Sequence, residues 1–269
     1  MLDPTSGPNR APTSAGDSTL ILSVRALSKS FKSGATVLES IDLDVRSGEA
    51  VALIGANGAG KSTLIRCLLR LVEPTGGDIR FFELDVRELK PRPLRRLRSR
   101  VGFVFQRHNL VLRLSALSNV IHGAQARLRC PFGWHQALAS GETRQQALVC
   151  LDRVGMADKA SARVDALSGG QSQRVAIARM LMQQPDFVIA DEPDASLDPK
   201  AGEEVMQLLR STTRESGVGL LFVSHDLDHA VQFSDRIVGL ARGHVAMNLP
   251  AHEADPVNLR DFFTEARRQ

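Results

Sequence analysis

The residues best equipped for chemistry lie in one short stretch, GANGAGKST, running from Gly55 to Thr63. Gly55, Gly58 and Gly60 let the backbone bend until successive N–H groups turn toward a single anion. A cation, Lys61, and two hydroxyls, Ser62 and Thr63, follow at once. This G-x-x-x-x-G-K-[ST] spacing suits the phosphates of a nucleotide. Gly55, Asn57, Gly58, Ala59, Gly60, Lys61, Ser62 and Thr63 are therefore candidate nucleotide-binding residues. Lys61 would bridge the β- and γ-phosphates, and the Ser62 hydroxyl would ligate Mg²⁺.

A second stretch, FVIADEP, ends an apolar run in two acids, Asp191 and Glu192. Acids at the carboxyl end of a buried strand stand where open α/β sheets bind their ligands. Asp191 would hold the metal directly or through water. Glu192 would act as general base on the attacking water. Together the two stretches make a P-loop NTPase with Mg²⁺ at its nucleotide, and do not yet say which kind.

Three further features narrow the class. Leu167 to Gln171 reads LSGGQ before a helical pattern, with Ser168 placed to cap that helix. Gln106 follows the apolar residues 101–105, and His225 follows the apolar residues 220–223. Loop, LSGGQ, DEP and terminal histidine, in this order, resemble the ABC ATPase family from about residue 20 to 245. The resemblance implies that Phe31 stacks on adenine, and that Gln106 contacts Mg²⁺ or the attacking water. It also implies that Ser168, Gly169 and Gly170 grip the γ-phosphate bound by an opposite subunit. Asp198, in the Ser196-Leu197-Asp198 stretch, matches the loop that crosses the dimer interface. His225 would contact the γ-phosphate and fix the water. Its neighbours Ser224 and Asp226 do not make it a hydrolase triad, whose members converge from separate elements. A homodimer sandwiching ATP is implied.

These groups need a scaffold that brings strand ends to one edge. Residues 20–27 and 37–45 read as strands. The second alternates Ile41, Leu43 and Val45 with Asp42 and Asp44. Residues 50–54 form a continuous apolar run, as a strand buried on both faces requires. A helix follows from Lys61, with Leu64, Ile65, Leu68, Leu69 and Val72 on one face. Gly76-Gly77 reads as the end of this unit. Residues 110–166 turn mainly helical, with an irregular stretch over 130–141. Helix 171–183, strand 187–190, helix 202–215 and strand 220–223 then alternate. Residues 235–245 read as a strand pair turned at Arg242-Gly243. The fold class is α/β: an ABC-type P-loop core with a parallel sheet, an antiparallel β subdomain and a helical insert. The expected division is a leader over 1–18, an ATP-binding core over 19–106 and 166–247, a helical subdomain over 107–165, and a tail over 248–269.

Composition limits the function classes. The chain has 269 residues, 43% of them hydrophobic, and no apolar run long enough to span a membrane. Residues 1–18, rich in Pro, Ser and Thr, lack the order of a secretory signal and read as a flexible leader. Cys67, Cys130 and Cys150 show no C-x-x-C spacing, which disfavours zinc or a disulfide framework. The formal charge of +4 is concentrated in Lys90, Arg92, Arg95, Arg96, Arg98 and Arg100. Without interleaved aromatics this run reads as a solvated helix face rather than a base-stacking surface.

The middle of the chain carries the subfamily signal. Residues 101–123, 151–160 and 235–240 resemble phosphonate-import ATPases. At 223–228 the chain instead has the general ABC form, VSHDLD. The resemblance implies the ATP-hydrolysing subunit of an importer at the cytoplasmic face of the membrane. Its partners would be a second ATPase subunit, integral permease subunits and, indirectly, an extracytoplasmic solute-binding protein. The cargo would be a phosphonate or related phosphorus oxyanion, or else another small solute. A non-transport ABC ATPase of DNA repair or translation would need inserts or a second ATPase unit, neither of which is present in the sequence. A module that binds ATP without hydrolysis is opposed by the presence of Glu192 and His225.

Overall fold

The computed structural model describes residues 19–31, 34–106, 109–127 and 138–255, with Leu259 and Phe262. The leader expected over 1–18, residues 130–137 of the irregular stretch and most of the tail lie outside the described residues.

The chain opens with two long strands, Leu20–Ser30 (β1) and Thr36–Arg46 (β2), paired antiparallel. In β2, Leu38, Ile41, Leu43 and Val45 are buried. The offset between Leu38 and Ile41 falls at Ser40, whose positive φ of 51° marks a bulge that restores the inward face. The buried strand Ala50–Ile54 (β3) leads into helix Lys61–Leu68 (α1). Contrary to the expectation of a simple ending, Gly76-Gly77 opens a strand, Gly76–Phe81 (β4), followed by Leu84–Asp85 (β5). A four-stranded antiparallel sheet in the order β2-β1-β4-β5 results.

Helix Pro91–Ser99 (α2) and strand Val101–Val104 (β6) come next. The helical middle contributes Ala116–Ile121 (α3) and Gly141–Arg153 (α4), both packed on Gly169–Gln183 (α5). Then follow Phe187–Asp191 (β7), Pro199–Glu215 (α6), Gly219–Val223 (β8), Leu227–Phe233 (α7), Arg236–Ala241 (β9) and His244–Pro250 (β10). Arg242 and Gly243 both have positive φ, 49° and 78°, the hand that matches strand twist in a tight hairpin.

The second sheet runs β10-β9-β3-β8-β7-β6, parallel except for the β10 edge. Its strands divide their side chains between two cores. Val51, Leu53, Ile189, Leu221 and Val223 meet the antiparallel sheet and α1. Ala52, Ile54, Val188, Ala190 and Phe222 meet α3 to α7. Burial on both faces explains the unbroken apolar runs of β3, β7 and β8.

The basic run divides in two. Leu94 and Leu97 bury one side of α2 while Arg92, Arg95 and Arg96 face solvent. Arg98 donates to the carbonyls of Leu69 and Arg70 at 2.9 and 2.8 Å. Arg100 pairs with Asp186 at 2.7 Å and lies over the Phe82 ring. Cys67 is buried in the core, where desolvation pushes its thiol up to about 11 and makes it inert.

Candidate active site

Parallel pairing sets the site. Register aligns Leu53 with Val223, Asp191 with Val223, and Val104 with Ala190, so β3, β8, β7 and β6 end at one edge. Four of the sequence-singled features follow those ends: the glycine loop after β3, His225 after β8, Asp191 and Glu192 at the end of β7, and Gln106 after β6.

The loop conformation depends on missing side chains. A Cβ on Gly55 would stand 2.3 Å from the Leu240 carbonyl oxygen of β9, so the loop leaves the sheet only with glycine there. Gly60, with φ 104°, precedes α1 and brings no side chain to cap it. The first-turn amides and the positive end of the helix therefore face the loop. Lys61 is only 6% exposed, and its ammonium donates to the carbonyls of Gly55 at 2.7 Å and Ala56 at 3.1 Å. Burial pulls the Lys61 ammonium below its ordinary range, while the charges of Glu192 and Asp191 act in the opposite direction. Ser62, Asn57 and Gly58 are exposed beside it, and Ala59 is buried.

Across the edge, the Nε2 of His225 lies 2.6 Å from Oε1 of Glu192. A carboxylate only accepts, so with Glu192 ionised the proton of this bond sits on His225. Glu192 has φ 50°, a conformation that costs free energy in a non-glycine residue and that clusters at functional sites. The buried Pro193 fixes the turn after it. Burial, then the adjacent Glu192 charge, push the Asp191 carboxyl above the usual carboxylate range. The charges of Arg66, Lys61 and His225 act the other way.

That upward shift has a sign for stability. The folded chain takes up a proton at Asp191 more readily than the unfolded chain does. The stability this group contributes is present below the ordinary aspartate value and is lost as pH rises through the folded value. Asp191→Asn should therefore melt higher than the native protein at pH 7.5, by about 2–4 °C, the effect of ~1 kcal/mol in a domain of this size. The gain should shrink on acidification. Calorimetry of both proteins across pH 4 to 8 checks this, and a lower melting point for the variant at pH 7.5 would refute it.

The remaining expected residues stand elsewhere. Phe31 follows the end of β1, 42% exposed, with the Lys29 ammonium 4.9 Å from its ring centre. Ser168 caps α5, accepting from Gln171 N–H while the Gln171 side chain accepts from Ser168 N–H. The nearest groups to Cβ positions built on Gly169 and Gly170 are Leu197 and Ala201, not the phosphate loop. Asp198 caps α6, accepting from Ala201 N–H at 3.0 Å. LSGGQ thus adjoins the Ser196-Leu197-Asp198 stretch and the start of α6.

Sequence reasoning missed one pair. The Nδ1 of His229 lies 2.5 Å from Oδ2 of Asp194, with side chains 12% and 9% exposed. The only available signal was indirect: Asp194 stands two residues past Glu192, and His229 four past His225.

Known proteins resemble this chain in sequence and in fold. Residues 38–195 match the family described as ABC transporter. The phosphonates import ATP-binding protein PhnC 2 of Synechococcus sp. is 41% identical over 245 residues, covering 91% of each chain. The phosphonates import ATP-binding protein PhnC of Nitratidesulfovibrio vulgaris is 44% identical over 230 residues, covering 86% of each. Among solved structures, the dimeric post-hydrolysis state of the ATP-binding cassette MJ0796 bound to ADP and Pi superposes with TM-score 0.76 at 34% identity. It covers 86% of this chain and 99% of that one. The ADP conformation of the cassette MJ1267 gives TM-score 0.80 at 22% identity over 93% and 98%, a likeness of fold.

Proposed function

This chain belongs to the ABC transporter family of ATPases, and from that premise we propose that it powers uptake of phosphonates or related phosphorus oxyanions through separate membrane permease subunits. The observation that carries the catalytic part is the Glu192–His225 hydrogen bond at the sheet edge that also holds Lys61. The cargo rests on relatives named for phosphonate import that share about two-fifths of their residues with this chain over nine-tenths of its length.

Lys61 and the amides from Asn57 to Thr63 hold the β- and γ-phosphates, and Phe31 stacks on the adenine. Glu192 takes the proton of the attacking water, and His225 orients that water and the γ-phosphate. Hard oxygen donors suit Mg²⁺, and the repulsion between the adjacent Asp191 and Glu192 carboxylates is what a cation would relieve. Ser62, Asp191 and Gln106 would hold Mg²⁺, which neutralises phosphate charge when bound. Ser168, Gly169, Gly170 and Asp198 complete the nucleotide site of a second copy, so hydrolysis needs a dimer. No described helix is long and apolar enough to cross a membrane. The likeness to import ATP-binding proteins supports separate permease subunits as partners, with this chain at the membrane's cytoplasmic face. The core of 19–106 and 166–247 binds ATP, and the 107–165 subdomain meets the permease. An extracytoplasmic solute-binding protein feeds the system indirectly.

Cells carrying the native chain with its own permease partners should accumulate a labelled alkylphosphonate, and cells carrying Glu192→Gln should not. Equal uptake in both would remove phosphonate as the cargo and direct the search to other small solutes.

A further inference from the structure

His225 is not held by Glu192 alone. It immediately precedes Asp226, whose carboxylate caps α7 by accepting from the N–H groups of Asp228 at 2.9 Å and His229 at 3.1 Å. The His229 ring then reaches back to Asp194, in the loop that begins at Glu192. Its other flank meets Phe233 edge-on, with ring centres 5.5 Å apart and Phe233 buried. Two histidine–carboxylate contacts therefore join the same two segments. The outer one, His225–Glu192, is 38% and 18% exposed. The inner one, His229–Asp194, is nearly closed to solvent.

The two contacts are not equivalent physically. An exposed pair gains little from Coulomb attraction and its side chains sample alternatives. A pair withdrawn from water strengthens its hydrogen bond, and losing one partner strands the other unsatisfied. The inner pair is thus the rigid contact, and the outer pair inherits its alignment through the Asp226 cap on one side and Pro193 on the other. Asp194 also opens the segment that ends at Asp198, beside Gly169.

We propose that Asp194 and His229 are positioning residues: they fix α7 against the loop after β7, and so set the distance and angle between His225 and Glu192. Neither touches the nucleotide. The inference deepens the catalytic reading above and rests on it. Misplacing a base or orienting group by about 1 Å can cost up to a hundredfold in rate, whereas ATP affinity resides in the loop after β3.

Three full-length variants test it. His229→Leu fills the space without a donor, Asp194→Ala removes the acceptor, and His229→Asn keeps a donor where Nδ1 stood. Steady-state hydrolysis should show kcat reduced about tenfold or more in the first two, with KM for Mg-ATP within about twofold of native. His229→Asn should recover to within about threefold of native. In ¹⁵N-histidine spectra of the nucleotide-free proteins, the His225 ring signal should shift in His229→Leu and return in His229→Asn. Native kcat in His229→Leu with an unmoved His225 signal would overturn the proposal. So would equal losses in the Leu and Asn variants that follow their melting temperatures, since that marks packing alone. Should the native protein itself prove inactive, the ATPase reading fails, and the His225 signal still decides the positioning role.

Discussion

Glu192→Gln protein should bind ATP as the native chain does, turn it over about 10²–10⁴-fold more slowly, and collect as an ATP-bound dimer. The substitution keeps the shape of the side chain and an oxygen that can accept from His225 Nε2, so the 2.6 Å contact has no geometric reason to break. What it removes is the ability to take a proton from water. In the proposed sandwich, ATP joins two copies and hydrolysis lets them part. Slowing only the chemical step should move the population to the joined state. Sedimentation at saturating Mg-ATP, beside a phosphate-release assay, reads both consequences. A variant that stays monomeric there would contradict the composite site, and one that hydrolyses at the native rate would exclude Glu192 as base.

The second large effect should come from Lys61→Ala, which acts on binding rather than on chemistry. The Lys61 ammonium is buried at the start of α1, and its burial disfavours the charge it carries. A cation held at that cost suits an anionic ligand. Removing one or two charge-assisted hydrogen bonds, at about 1.5–3 kcal/mol each, should weaken ATP binding by about tenfold to 10⁴-fold. Titration with ATP followed calorimetrically measures this directly. Unchanged affinity in a folded variant would remove Lys61 from the phosphate site. The two variants should therefore separate cleanly, one retaining ligand without turnover and the other losing the ligand.

How much of this could be read beforehand depended on how local each signal was. The loop after β3 is contiguous, so its residues and its place after a buried strand were visible together. Asp191, His225 and Gln106 were visible because each follows a short apolar run, and parallel strands carry such ends to one edge. Ser168 was visible as a cap by its type and its place before a helical pattern. β4 was not, because Gly76-Gly77 looks like a stop. In the fold Gly77 lies where β4 passes the bulge of β1 at Ala26, and a Cβ there would stand 2.4 Å from the Ala26 carbonyl oxygen. The Asp194–His229 pair was invisible for a different reason. Its members lie 35 residues apart on elements whose own periodicity is unremarkable, and only the packing of α7 on the loop after β7 unites them.

One contact joins parts that have been described separately. Val37 of β2 presses its carbonyl oxygen against both Gly60 and Gly243, within 2.9 and 2.6 Å of where their Cβ atoms would stand. The start of β2, just after Phe31, thus packs against both the phosphate loop and the β9–β10 hairpin, where Glu39 N–H also donates to the Gly243 carbonyl at 2.8 Å. If Phe31 lies under the base and Lys61 on the phosphates, as proposed, the molecule contains a ruler, and the start of β2 is where its two arms join. A chimaera that imported the first sheet from another protein would change the gauge along with the surface. Its choice among nucleotides of different length would move even though no residue touching phosphate had been altered.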